Sequence, residues 1–223
     1  IYLSLDDIKL TYDLKDEEIS KFNLINEKLE NLNKDFKTLI EHSKGKTFAY
    51  SKLADELSGL SNKLTRLNDD LEYQLHSISS MQDDEYRAKE QLQSIEKLLK
   101  QTKMRLKDFK FPFIPDSYFV ELKEAGAAIR EIIRELDKKP IVIKILNIRV
   151  DTARDLVFKI YNKTNELIKN ASMAEKIIVY GNRYRSSYSD VDVSLDKAEN
   201  LFRKGLYKES YNISLEALGK IDE

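Results

Sequence analysis

Leucines and other apolar residues recur along the chain at alternating steps of four and three. From Leu53 the series runs through Leu57, Leu60, Leu64, Leu67, Leu71, Gln74, Ile78, Met81, Glu85, Ala88, Leu92, Ile95, Leu99, Thr102, Leu106 and Phe109. Fourteen of these seventeen positions are apolar, where a 41% hydrophobic composition gives about seven by chance. The pattern predicts one helix from Thr47 to Phe109, roughly 95 Å long at 1.5 Å per residue. A second seam, Phe22, Ile25, Leu29, Leu32, Phe36 and Leu39, predicts a helix over 5–42. Ser4 and Asp7 form a capping-box pattern at its start. A third seam runs from Ile143 through Leu146, Val150, Ala153, Val157, Ile160, Thr164, Leu167, Ala171 and Ala174 to Ile178, and predicts a helix from Pro140 to about 188.

Breakers divide these segments. Ser43-Lys44-Gly45-Lys46-Thr47 reads as a turn, with Gly45 ending one helix and Thr47 capping the next. The rhythm also runs straight through 43 and 46, which leaves a continuous helix open. Lys110-Phe111-Pro112-Phe113-Ile114-Pro115-Asp116 is a firm break, because two prolines three apart do not fit inside a helix. A short helix with Phe119, Leu122, Gly126, Ile129, Ile133 and Leu136 follows. Pro140 suits a turn or a first helical position. Two short helices near 190–203 and 206–221, split by Gly205, close the chain.

Matching helix lengths predicts an all-α fold of elongated, spectrin-like tandem antiparallel bundles that share long continuous helices. Residues 1–82 are expected to form an incomplete repeat, an antiparallel pair. Residues 83–165 form a three-helix repeat and 166–223 a C-terminal bundle. Gln74, Glu85 and Thr102 interrupt the long seam and read as register-setting positions. Glu85 falls where one bundle hands over to the next, so 76–88 is expected to bend. The incomplete pair lacks a third helix, and its exposed seam is expected to bind a partner or form a homodimer.

Composition narrows the function. Six glycines and three prolines in 223 residues are too few for a sandwich or barrel. Lys and Arg number 38 against 39 Asp and Glu, which argues against a nucleic-acid binder. The absence of Cys removes disulfides, thiolate zinc sites and a thiol nucleophile. His42 and His76 have no second ligand at metal spacing. No phosphate loop, dinucleotide turn or hydrolase motif is present. An enzyme, a metal site and a cofactor are therefore not expected. The longest apolar runs, such as Ile141-Val142-Ile143 before Lys144, fall far short of the roughly 20 residues of a membrane span. The chain begins at Ile1 rather than Met, which fits a fragment of a longer protein.

One segment differs from the coiled-coil texture. Tyr180, Tyr184 and Tyr188 recur at helical spacing, with Arg183 and Arg185 among them and Gly181 on the seam. Tyr and Arg are the residues of binding hot spots. The tyrosines read either as packing on the last short helices or as a partner-binding patch.

Several stretches resemble the septation ring formation regulator EzrA family of low-GC Gram-positive bacteria. They are Ala49-Tyr50-Ser51-Lys52-Leu53, Asp84-Glu85-Tyr86-Arg87-Ala88, Phe113-Ile114-Pro115-Asp116, and Ala174-Glu175 through Tyr180-Gly181-Asn182-Arg183-Tyr184-Arg185. Ala198-Glu199-Asn200-Leu201-Phe202, Gly205 and Tyr207 fit its closing helices. Two positions depart from the family pattern: Phe113 replaces a usual Gly, and Val179 replaces a usual Gln. The resemblance implies the C-terminal part of a membrane-anchored rod, its anchor and earlier repeats lying outside this chain. It implies a place on the cytoplasmic face of the membrane at the midcell septum. It also implies binding to the tubulin-like protein FtsZ, restraint of misplaced Z-rings, and links to other division and wall-synthesis proteins. The family's midcell-localisation patch maps onto Asn182 and Arg183, with Tyr180, Tyr184 and Arg185 around them. The alternative is a purely structural spacer with no FtsZ contact in this stretch.

Overall fold

The computed structural model describes residues 5–44 and 50–221, with side chains from residue 7 onward. The fold is all-α. Its helices are α1 (Leu5–Thr11), α2 (Asp16–Ser43), α3 (Tyr50–Asp108), α4 (Asp116–Asp137), α5 (Ile143–Gly181), a 3-10 turn η1 (Asn182–Tyr184), α6 (Ser189–Arg203) and α7 (Tyr207–Gly219). Two compact units share the chain: Ile1–Arg87 with Leu136–Lys144, and Ala88–Glu135 with Ile145–Glu223. Helix α3 runs unbroken through Glu85 and contributes residues to both units. The expected turn at Gly45 and cap at Thr47, and Ser4 of the expected capping box, lie outside the described residues.

In the first unit the single helix expected over 5–42 is two. The backbone of Tyr12 leaves the helix and forms a parallel bridge with Ile141. The Ile141 N–H donates to the Thr11 carbonyl at 2.8 Å, and the Asp13 N–H donates to the Ile141 carbonyl at 3.0 Å. These bonds need extended backbone, so helix cannot continue through 12–15. The exchange buries Tyr12 and Ile141. The Tyr12 hydroxyl donates to Glu85 Oε2 at 2.6 Å, so the carboxylate in the α3 seam has a specific partner. Helix α2 then restarts at Asp16. The Glu18 side chain accepts from the Lys15 N–H at 2.9 Å, and three acids fill the first turn, where the helix dipole favours negative charge.

Helices α2 and α3 run antiparallel. Lys28 pairs with Asp70 at 2.7 Å and Lys63 with Asp35 at 2.8 Å, two rungs with the same index sum. All four side chains are about half exposed, so each pair contributes at most about 1 kcal/mol and acts mainly on register. Ile25 and Leu67 are buried. Leu29, Phe36, Leu57 and Leu64 remain about half exposed, along an open apolar trough of about 450 Å³.

The second unit uses its seams fully. Ala88, Ile95, Leu99 and Thr102 of α3 are buried, as are Tyr118, Ala125, Ile129 and Ile132 of α4. On α5 the buried positions Leu146, Val150, Ala153, Val157, Ile160 and Thr164 step by four and three, the spacing that keeps one face toward neighbouring helices. Helices α4 and α5 are antiparallel. Tyr118 and Thr164 hydroxyls meet at 2.7 Å, Glu121 reaches Lys163 at 3.1 Å, and Glu131 pairs with Arg149. The Thr164 hydroxyl donates to the Ile160 carbonyl at 2.6 Å, so its one proton is spent and Tyr118 is the donor between them. Thr102 likewise donates to the Leu98 carbonyl at 2.8 Å, which satisfies a polar side chain inside the seam. The chain stops being helical after Asp108, as the two prolines require, and residues 138–140 bend before the bridge at Ile141.

The closing helices dock through aromatic residues. Tyr207 is buried and its hydroxyl donates to the Phe113 carbonyl at 2.6 Å. Its ring lies 5.8 Å from Phe111 and 5.0 Å from Phe202. Gly205 sits at φ +79°, and a Cβ there would meet Phe113 Cδ1 at 2.7 Å. Backbone handedness and the close approach of Phe113 both demand glycine at this corner.

Two predictions follow from the second unit. Tyr118→Phe removes one buried hydrogen bond while leaving Thr164 bonded to Ile160. Urea unfolding should show a loss of about 1 kcal/mol. Acid should weaken the same unit. Hydrogen bonding and the field of Lys163 hold Glu121 below its ordinary 4.5, and Arg149 with Arg134 does the same for Glu131. With folded values depressed, their contribution is complete above pH 4.5 and is lost as pH falls through the folded values. Thermal melts from pH 6 downward should fall in that window, and Glu121→Gln with Glu131→Gln should flatten the fall.

Candidate functional site

The site begins where α5 ends. Ala171, Ala174, Ile178 and Gly181 continue the buried seam, and the last of them lacks a side chain for a local reason. A Cβ on Gly181 would stand 2.9 Å from Leu195 Cδ1 and 3.2 Å from Leu195 Cδ2. Leu195 is fully buried in a cluster with Val191 and Leu218, against which Ile177, Tyr184 and Ile221 pack. The glycine therefore admits α6 to close range. Helix α5 stops there, η1 takes Asn182–Tyr184, and a turn leads into α6. The continuous helix expected to about 188 is thus corrected. Tyr180 and Tyr184 stay neighbours, but Tyr188 lies beyond the helix end, at the N-cap of α6.

The five expected site residues separate into different environments. Tyr180 is half exposed at the end of α5. Its hydroxyl lies 3.1 Å from that of Tyr184, with ring centroids 5.7 Å apart. The Arg183 guanidinium carbon sits 4.5 Å from the Tyr180 ring centroid, a cation–π distance. Asn182 is exposed, and its side-chain oxygen accepts from Arg185 Nε at 2.9 Å.

Arg185 is turned inward. It pairs with Asp192 at 3.1 Å, with Asp196 at 2.6 Å, and with Glu199. Its side chain is 23% exposed. Hydrogen bonding to Asp196, with Glu199 and Asp192 nearby, raises the pKa of the guanidinium above its ordinary value. Asp192, Asp196 and Glu199 stand at i, i+4 and i+7 on α6, one helical face. Sequence reasoning did not connect this acidic stripe with Arg185, although its periodicity following a basic segment was the available signal. Val179, which replaces a usual Gln of the family pattern, is 65% exposed and so lies at the surface rather than in the core.

Beside the tyrosines an open groove of about 320 Å³ is lined by Ile177, Tyr180, Tyr184, Leu215, Leu218 and neighbouring residues. Its lining contains no charged side chain among the described residues. Among the described residues no group of three or more His, Asp or Glu could hold a metal ion. None of the described helices is long and apolar enough to cross a membrane. His42 and His76 are both exposed.

Fold and site together define an all-α protein of antiparallel helices that share long continuous members, with a Tyr–Asn–Arg surface where the α5 seam runs out. The family model described as "Septation ring formation regulator, EzrA" matches residues 1–223, and the chain belongs to that family. A septation ring formation regulator EzrA from Bacillus licheniformis is 27% identical over 213 residues, covering 96% of this chain and 38% of that protein. The namesake from Staphylococcus aureus (strain Newman) is 33% identical over 109 residues, 49% of this chain and 19% of that protein. The solved cytoplasmic domain of bacterial cell division protein EzrA is similar in fold, with a TM-score of 0.62 at 23% identity, over 95% of this chain and 41% of that one. The chain thus spans well under half the length of these relatives. They are named as septation regulators and not as enzymes.

The contact between Gly181 and Leu195 yields a stability prediction. Alanine at 181 gains helix propensity but brings its Cβ to 2.9 Å from Cδ1 of the buried Leu195, which must shift to admit it. Gly181→Ala should therefore destabilise by about 1 kcal/mol or more in chemical denaturation, whereas Gly59→Ala, with open space around its Cβ position, should stabilise by about 0.5–1 kcal/mol.

Proposed function

We propose that this chain is the part of a septation regulator that carries its partner-binding patch, and that Asn182, Arg183, Tyr180 and Tyr184 form the contact while Arg185 positions them. The observation that carries this reading is the difference between the two arginines. Arg185 is committed to three carboxylates and to Asn182. Arg183 lies exposed on a tyrosine ring. Membership of the septation-regulator family supports a non-catalytic role in cell division. On this reading the chain binds FtsZ, restrains ring assembly at wrong sites and links the ring to other division and wall-synthesis proteins. It acts from the cytoplasmic face of the membrane at midcell, through an anchor outside these residues.

The same proposal includes the architecture. Three spectrin-like segments, 1–82, 83–165 and 166–223, would space the patch from the membrane. The apolar trough on the α2–α3 pair supports pairing of two copies there, because the ion pairs Lys28–Asp70 and Lys63–Asp35 tie the two helices together while the trough stays bare. Sedimentation velocity checks this: Phe36→Glu should abolish any concentration-dependent dimer.

Two experiments test the function. GTP-assembled FtsZ is pelleted with and without the chain; a fall in polymer mass or co-sedimentation is expected, and neither with a folded sample would leave a structural spacer. Asn182→Ala with Arg183→Ala, placed in the full-length protein, should abolish midcell recruitment. Helicity and melting should stay nearly unchanged, since both side chains are exposed. Normal recruitment of that stable variant would remove the patch from the mechanism.

A further inference from the structure

Deepening the patch reading on which it rests, we infer that the groove between the end of α5 and α7 binds a short peptide segment that pairs a bulky apolar side chain with a neighbouring Asp or Glu carboxylate. The apolar side chain enters between Tyr180, Tyr184 and Leu215, and the carboxylate meets Arg183.

Three observations converge on that chemistry. First, the groove is built and apolar. Ile177, Tyr184 and Leu218 belong to the packed cluster under α6, so its floor is held in place, while Leu215 is 50% exposed at its wall. A wall of that kind, left open beside half-exposed Tyr180, is where an apolar anchor displaces water. Secondly, cations border the groove while its described lining holds no acid to meet them. Glu216, the nearest acid along α7, is turned to Lys220 at 3.2 Å. Arg183 borders the groove through the Tyr180 ring, and Lys176 precedes Tyr180 by one helical turn. Neither cation forms an ion pair among the described residues. Thirdly, Arg183 is pre-oriented. Its guanidinium lies on an aromatic face, which leaves the edge N–H groups available for a carboxylate in the fork geometry that suits it.

The contrast with Arg185 strengthens the assignment. The protein supplies its own carboxylates to one arginine of the pair from three positions on α6, and, among the described residues, none to the other two residues away. An exposed ion pair alone contributes little affinity, and an apolar contact alone has little direction. The two features side by side select a ligand that carries both. The Asn182 side-chain oxygen is engaged by Arg185, which leaves its NH2 group as the contact that side chain can offer.

The test is a display selection with random dodecapeptides on the intact 223-residue chain, after depletion on the Arg183→Gln, Leu215→Glu double variant. Both side chains are exposed, so the variants should fold, and circular dichroism checks this. The expected winners place Asp or Glu within about two residues of Leu, Ile, Met or Phe. A labelled winner should bind about tenfold more weakly to Arg183→Gln, with Arg183→Lys between them, a step of one decade in Kd. Changing its acid to the amide should cost the same on the wild-type chain and nothing on Arg183→Gln. Leu215→Glu should abolish binding. Failure to enrich any peptide, or winners that lack acids or bind Arg183→Gln equally well, would overturn the inference. That failure is distinct from failure of the patch itself: loss of recruitment in the Asn182, Arg183 variant alongside a failed selection would leave a patch that recognises another chemistry.

Discussion

One guanidinium ties the turn after α5 to helix α6. Arg185 leaves η1 and reaches across to Asp192, Asp196 and Glu199 on one face of α6, while its Nε holds the Asn182 side chain. The 3-10 turn therefore cannot rotate freely against the helix that follows. Everything exposed on that turn, Arg183 above all, inherits a fixed direction. The acids are partly in water, so each pair is individually modest. Their value lies in acting on one rigid fork together.

Packing sets the same geometry from inside. Gly181 lets α6 approach until Leu195 fills the space a side chain would take. Leu195, Val191 and Leu218 then form the base on which Tyr184 and Ile177 rest. The patch is thus neither a loop nor a plain helix face. It is a helix end stopped by a close contact, tied down by charge, and flanked by a groove. Under the proposed partner-binding role, groups held on such rigid elements would lose little freedom when a partner arrives.

How much of this can be read in the chain follows from how local each cause is. The seams of α3 and α5 are periodic in the sequence, and their buried positions follow that period. The break at 110–116 is equally local, since two prolines enforce it. The gap between α1 and α2 is not: nothing in Thr11-Tyr12-Asp13-Leu14 breaks a helix. The cause is Ile141, far along the chain, which takes the backbone of Tyr12 and Asp13 into a bridge. The end of α5 is similar. A glycine alone costs a helix only about 1 kcal/mol, and what stops it is the arrival of Leu195 and the three carboxylates of α6. The patch residues themselves stood out in sequence as a Tyr–Arg cluster. Their division of labour did not, because which arginine is paired inward depends on a helix that begins beyond the turn.

Amide hydrogen exchange of the intact chain against Arg185→Met tests the central claim most directly. The amides of Arg185, Ser187 and Tyr188 donate to Asn182 and Tyr184 carbonyls within the turn, so their protection reports its closure. If Arg185 fixes the turn, exchange at these amides should accelerate at least tenfold in the variant, while the α4 and α5 amides around Tyr118 and Thr164 keep their rates. Unchanged protection across 182–188 would show that packing alone holds the patch and would contradict the account.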